Sequence, residues 1–254
     1  MAIAFDAATT GTAANAASLT FSHTVGAAGA DRALIVGVAF QNRLVSGVTY
    51  AGTAMTSIGT LANGAAKMHL WRLLAPATGA NNVVVTMTGG GVDIVGMAMS
   101  FTGVHQTTPL GTFASASGTS TAPTVTVTGA VNDLIVDTIG VDSAAVTTTL
   151  TVGAGQTQRA NTEADREHGA ASTEPGAASV VMNWTINLSR AWAIGGVALK
   201  PAAGGTQFTQ AVTGALSFSG PLANQTGKVL SGSLSFAGAL AKQVGKVLAG
   251  AVSF

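Results

Sequence analysis

The chain has 254 residues, of which only 8% are charged, with 33 glycines, no cysteine and a formal net charge of +1. That length can bury a sizeable core in one large domain or two unequal ones, and the missing cysteines exclude disulfides and thiolate metal sites. Sparse Lys and Arg exclude the dense basic patches that bind nucleic acid, and no run of about 18 apolar residues reads as a membrane-spanning helix.

Residues 1–200 carry eight Lys and Arg against ten Asp and Glu, whereas residues 201–254 carry Lys228, Lys242 and Lys246 with no acid. A weakly acidic body beside a weakly basic tail permits head-to-tail attraction between subunits. Few charges among many small and β-branched residues suit closely packed sheets, and low charge favours an assembled state. The opening Met1-Ala-Ile-Ala-Phe-Asp6 has neither a basic nor a long apolar segment, so no Sec-type signal is read there.

In chain order, the first predicted strands are Ile3 to Phe5 and Leu19 to Val25, the second alternating Leu, Phe, His and Val on one face. Arg32 to Phe40 is apolar on both parities, which predicts a central strand covered on both sides. A turn is expected at Ser46-Gly47, followed by strands over Val48 to Gly52, Ala54 to Ile58 and Lys67 to Leu74. Pro76 to Asn82 reads as a loop, Val83 to Met87 as a strand, Gly89 to Gly91 as a turn and Val92 to Phe101 as a second buried strand. Residues 106–122, rich in Thr, Ser, Gly and Ala, read as a long surface connection. Strands follow at Thr124 to Val127, Asp133 to Ile139, Ser179 to Ile186 and Ala191 to Leu199. Nothing combines helical periodicity with caps. The expected fold is therefore all-β: an antiparallel, jelly-roll-like β-sandwich over residues 1–200, a linker at 201–205 and a C-terminal β-repeat tail over 206–254.

The tail repeats with a period of eighteen: Gly214-Ala-Leu-Ser-Phe-Ser-Gly-Pro-Leu222 returns as Gly232-Ser-Leu-Ser-Phe-Ala-Gly-Ala-Leu240, and a third copy begins at Gly250. Even positions are large and apolar while odd ones are mostly Ala, Ser and Gly, which is strand alternation. Two and a fraction hairpin-sized units cannot cover their own apolar face. Leu216, Phe218, Leu234, Phe236, Leu248 and Phe254 are accordingly the expected oligomerisation residues. A basic helix reading through Lys242 and Lys246 would bind membranes, but the tail's glycines oppose it by about 1 kcal/mol each.

A family resemblance rests on Phe5-Asp-Ala, Leu19-Thr-Phe-Ser-His23, Leu34-Ile-Val-Gly-Val38, Val48-Thr-Tyr-Ala-Gly52, Leu70-Trp71, Phe101 to Leu110, Gly155-Gln-Thr-Gln158 and Ala191-Trp-Ala-Ile194. Residues 3–201 resemble the lectin-like β-sandwich modules of phage-like and bacterial surface proteins. The tail resembles the Leu-Ser-Phe-x-Gly-x-Leu repeats that follow such modules in viral and metagenomic sequences. The resemblance implies a virion-surface or extracellular setting and supplies no catalytic or cofactor residue.

His23, His69, His105 and His168 lack metal-binding spacing, and no Gly-x-Ser-x-Gly elbow occurs. No cofactor and no metal is expected. The densest polar segment holds Arg159, Glu163, Asp165, Arg166, Glu167 and His168. Its acids could take Ca²⁺ or act as acid and base, but their interleaving with arginines favours an exposed, self-paired edge that touches a ligand or a second subunit. Trp71, Trp184 and Trp192 lie in apolar strand text and read as core; an exposed one would favour sugar binding. The function expected first is a non-enzymatic structural protein, a virion fibre, decoration protein or extracellular filament, forming a trimer or filament through its tail. The alternatives are a module binding a cell-surface glycan and, third, a glycosidase using Glu163 or Glu167.

Overall fold

A computed structural model describes residues 2–144 and 147–202. The repeat tail, with the six apolar positions assigned to oligomerisation, lies outside the described residues. Those described form seventeen strands. The first nine are β1 (Ala4–Ala16), β2 (Ser18–Val25), β3 (Ala33–Phe40), β4 (Val45–Tyr50), β5 (Thr53–Ala54), β6 (Thr56–Asn63), β7 (Ala66–Leu74), β8 (Gly79–Met87) and β9 (Val92–Thr102). The other eight are β10 (Ala114–Ser120), β11 (Thr124–Val127), β12 (Leu134–Asp142), β13 (Leu150–Val152), β14 (Thr157–Ala164), β15 (Glu167–Pro175), β16 (Val180–Ile186) and β17 (Arg190–Leu199).

Four antiparallel sheets result, and their orders repeat. The first half gives β1-β9-β3-β7-β6 and β2-β8-β4-β5; the second gives β10-β17-β12-β15-β14 and β11-β16-β13. Replacing each strand of the first half by its successor in the second converts one pair of orders into the other, with only β5 lacking a counterpart. Local detail repeats as well. Ser57–Trp71 then Gly59–Leu70 marks a bulge in the β6–β7 hairpin, and Gln158–Ser172 then Ala160–Ala171 marks it at the same step of β14–β15. A single sandwich over residues 1–200 is thus resolved into two sandwich-like halves within one compact unit, Met1–Gln207.

Strand parity explains the stacking. Along β3, Leu34, Val36, Val38 and Phe40 join the core shared with β2, β4 and β8, while Ala33, Ile35 and Ala39 point the other way, into a core shared with the second half. Along β12, Ile135, Ile139 and Val141 face β11 and β16, while Val136 faces the first half. The two five-stranded sheets therefore lie face to face in the middle of four layers. This arrangement is why β3 and β9 read as apolar on both parities: each is covered on both faces.

The middle interface is complementary in size. The first half contributes mostly large side chains, Met68, Leu70, Met97, Met99 and Phe101 beside Ala33 and Ala39, and the second mostly small ones, Ala160, Ala164, Ala171 and Ala193 beside Val136 and Leu199, with glycines between them. A Cβ added at Gly169 would overlap Val95, and one at Gly195 would crowd Met68 and Phe113. Small residues let the sheets approach, and the long side chains fill the space they leave.

Pro76 to Asn82 is a loop only as far as Thr78, because β8 begins at Gly79. Three further expectations need correction. Residues 106–122 are not wholly a connection, because Ala114–Ser120 is strand β10 on the edge of the second five-stranded sheet. Ser46-Gly47 is no turn but a bulge within β4, where the pairing steps from Val45–Met87 to Gly47–Thr86. The first strand runs to Ala16, well beyond Phe5. Each concerns Ala, Ser, Thr and Gly, whose small side chains give no apolar alternation to read.

Candidate functional site

The polar segment at 159–168 is the hairpin that joins the edge strand β14 to β15, and its members have separate fates. Arg159 lies 3.9 Å above the Phe5 ring and donates from Nε to Thr173 Oγ1 at 2.9 Å, a cation–π contact between the two halves. Glu163 is half-buried and pairs with His168 across β14–β15. His168 is buried, its Nε2 2.6 Å from Asn161 Oδ1, and burial lowers its pKa. Asp165 and Arg166 form the two-residue hairpin loop and are exposed. Asp165 adopts a left-handed φ of 44°, a conformation that Asp tolerates in such turns. Glu167 is fully buried.

Asp165 and Arg166 do share a site, with residues the sequence reading left aside. They line a cavity of about 460 Å³ together with Asn15, Gln41, Asn42, Gly91, Asp93 and Asp142. These residues come from one end of the central layers: the end of β1, the start of β9, the ends of β3 and β12, and the β14–β15 loop. Cavity and interface are therefore continuous.

Hydrogen bonds fix the walls. Asp93 Oδ1 accepts Asn15 N–H at 3.0 Å and its Oδ2 accepts Arg166 N–H at 3.3 Å, which ties the two halves together. Gln41 Nε2 donates to Asp142 Oδ1 at 3.0 Å and to Arg166 C=O at 2.7 Å, a second bridge between halves. Asp142 Oδ1 also accepts Ala144 N–H at 3.1 Å. Glu167, paired with Asp142 across β12–β15, has both carboxyl oxygens buried without a hydrogen-bond partner. Burial first, and then the charges of Asp142 and Asp93, raise its pKa well above the usual carboxylate range.

Two features bear on catalysis. Ser57 Oγ lies 2.7 Å from His69 Nε2, but burial alone holds His69 down to about 4, so the imidazole is a weak base. Glu167, proposed from sequence as a glycosidase acid, has no exposure through which to reach a substrate. All three tryptophans are buried, at 8% exposure or less, leaving none for stacking on sugars. Among the described residues no group of three or more His, Cys, Asp or Glu side chains could hold a metal ion.

Signals for the cavity residues existed in the sequence. Asp93 interrupts an otherwise apolar strand, and Gln41 and Asp142 end two others. A polar group in buried text needs a partner. No protein-family model, curated protein or solved structure matches the chain.

Proposed function

We propose that the protein is a non-enzymatic structural subunit of a virion surface or extracellular filament: two stacked jelly rolls that carry a self-assembling repeat tail. The repeated strand order supports the jelly-roll reading, since each half matches a double sheet with interleaved, non-sequential neighbours. One observation carries the functional reading: the two halves bury an apolar core between their central sheets, with Ile35, Met68 and Met97 on one side and Val136, Ala171 and Leu199 on the other. The outer sheets turn Ser18, Thr20, Ser22, Thr24 and Thr86 outward on one side and Thr124, Thr126, Thr151 and Thr185 on the other. Such uncharged hydroxyl faces suit close lateral neighbours. The repeat tail, with its alternating large and small residues, is the assembly device.

Light scattering and electron microscopy of the full chain, of a chain ending at Ala202, and of a full chain with Phe218→Asp, Phe236→Asp and Phe254→Asp test the proposal. Trimers or filaments for the full chain and monomers for the other two are expected. Equal mass and shape for all three would overturn it.

A further inference from the structure

Each central sheet ends in two edge strands, β1 and β6 in the first half and β10 and β14 in the second. A bare edge offers a row of main-chain donors and acceptors to any strand that comes alongside, and proteins blunt it with bulges, charges, proline or short length. Three of these four edges are blunted. β1 carries Asp6 and breaks register between Phe5 and Ala7 and again between Ala13 and Ala16. β6 breaks register between Ser57 and Gly59. β14 breaks it between Gln158 and Ala160 and carries Arg159 and Glu163. β10 has none of these devices: Ala114 to Ser120 pair with Gly196 to Arg190 of β17 without a step, and the strand holds no charge and no proline. In the outer sheets β5, β11 and β13 are only two to four residues long, and β2 keeps Phe21 against Gly11 of β1.

Among the described residues β10 pairs with β17 on one side and with no strand on the other. Asn63 Nδ2 donates to Gly118 C=O at 2.7 Å, and a Cβ at Gly59 would overlap the Phe113 ring, so β6 and β10 border the same side of the body. β1 and β14 border the opposite side, where Arg159 covers Phe5. Ser115, Ser117 and Thr119 of β10 are exposed, as are Thr56, Thr60 and Ala62 of β6. Neither of these two edge strands carries a charge.

We propose that β10 pairs antiparallel with β10 of a second copy, centred on Ser117, so that two five-stranded sheets become one of ten strands. The sequence of the strand selects that occupant. Ala114-Ser-Ala-Ser-Gly-Thr-Ser120 reads nearly alike in both directions about Ser117: Ser115 corresponds to Thr119, and Ala116 to Gly118. Side chains alternate along a strand, so a twofold axis through Ser117 sets exposed hydroxyls against exposed hydroxyls and small half-buried residues against their like. Ser and Thr pairs across strands hydrogen-bond. The same axis, normal to the sheet, brings β6 toward β6 of the other copy, where no like charges meet. A peptide of unrelated sequence would gain the main-chain bonds but not this match. Seven residues of edge fall short of the roughly 800 Å² per partner of a stable interface. The pairing therefore fills at about millimolar concentration, such as a tether supplies, and stays empty in dilute solution.

The chain has no cysteine, so an introduced thiol reports the pairing directly. Full-length Ser117→Cys and, as a control on the opposite side, Thr157→Cys at the exposed start of β14 are oxidised mildly. Protein at about 1 mM makes encounter independent of the tail. Directly opposite residues hold their Cβ atoms about 5 Å apart, within a small shift of disulfide geometry. Disulfide-linked dimer should form about tenfold faster from Ser117→Cys than from Thr157→Cys. Ser115→Cys should link faster to Thr119→Cys, mixed with it, than to itself. Adding Ser115→Lys and Thr119→Lys to Ser117→Cys should lower its rate to that of the control, because like charges then face each other across the axis. An unfolding temperature equal to that of wild type in reductant shows that each variant is folded. Equal rates for Ser117→Cys and Thr157→Cys, faster linking of Ser115→Cys to itself than to Thr119→Cys, or an undiminished rate in the lysine variant would each overturn the proposal.

Discussion

Asp137 lies on the face of β12 turned toward β11 and β16, fully buried, and its oxygens are engaged by three donors. Ser172 N–H and Ser172 Oγ–H each reach Oδ1 at 2.7 Å, and Trp184 Nε1–H reaches Oδ2 at 2.7 Å. Burial nonetheless outweighs these bonds and pushes the carboxyl up to about 6. The folded state thus holds a proton that the unfolded chain releases at lower pH. The contribution to stability is complete below the unfolded pKa of 3.8 and is lost as pH rises through about 6. The shift of roughly two units corresponds to about 3 kcal/mol. Asp137→Asn removes the titration and sets an amide N–H₂ against Trp184 Nε1–H, which destabilises by about 1–3 kcal/mol. The difference in unfolding free energy between wild type and variant should shrink steadily from pH 4 to pH 7 in denaturant titrations. A difference that is flat with pH would show that Asp137 stays ionised throughout. Glu167 is raised in the same direction, so the comparison must be made as this difference and not on wild type alone.

At the scale of the strand, β3 and β12 pair with their neighbours in matching patterns, and they meet across the middle interface where one is small and the other is not. A Cβ on Gly37 would overlap Thr138, and one on Gly140 would meet the Lys67 carbonyl and Ala39. Thr138 Oγ1 is buried there with no hydrogen-bond partner, so the threonine is held for its volume. Gly37→Thr should destabilise by about 2 kcal/mol through overpacking, and Thr138→Gly by about 1–2 kcal/mol through lost packing and added chain entropy. The double variant should recover at least 1 kcal/mol of their sum, since the two sites share one volume. Strict additivity in chemical denaturation would mean that the sheets do not meet at this point. The same size exchange explains what the sequence disclosed and what it hid. β2, with Leu19, His23 and Val25 buried on one face, and β3 and β9, buried throughout, were legible because large apolar residues sit in them at strand period. β10 and β14 were not, because Ala114 to Ser120 and Thr157 to Ala164 offer little apolar bulk to alternate. The repeat of strand order was hidden for a related reason: Met97 in β9, opposite Gly37, holds the place that Gly195, opposite Thr138, holds in β17, so a large residue in one half answers to a small one in the other. The cavity was equally hidden, since Asn15, Asp93, Asp142 and Asp165 are far apart in sequence and only strand pairing gathers them.

For the whole molecule, a size-complementary interface has a consequence that a symmetric one would lack. The first half ends its central sheet in Met68, Leu70, Met97, Met99 and Phe101; the second presents Ala160, Ala171 and Ala193. Two first halves would bring bulk against bulk, and two second halves would leave voids, so each half selects the other. The connection between them offers a place to test this. Thr107 and Thr108 are exposed, while the chain just beyond is fastened to the second half by Lys200 N–H to Pro109 C=O and Gly111 N–H to Ala198 C=O, each 2.8 Å. A protein cut between Thr107 and Thr108 should stay together as a one-to-one pair in size-exclusion chromatography. The two pieces expressed in one cell should co-purify, whereas each piece alone, with its interface bared to water, should aggregate. Intact, the body should unfold in one step by calorimetry, with van't Hoff and calorimetric enthalpies equal, because the interface core joins both outer cores through the same strands. Two separate transitions, or a soluble first half that forms a stable homodimer, would contradict this account. Either result would make the halves independent sandwiches joined by a linker.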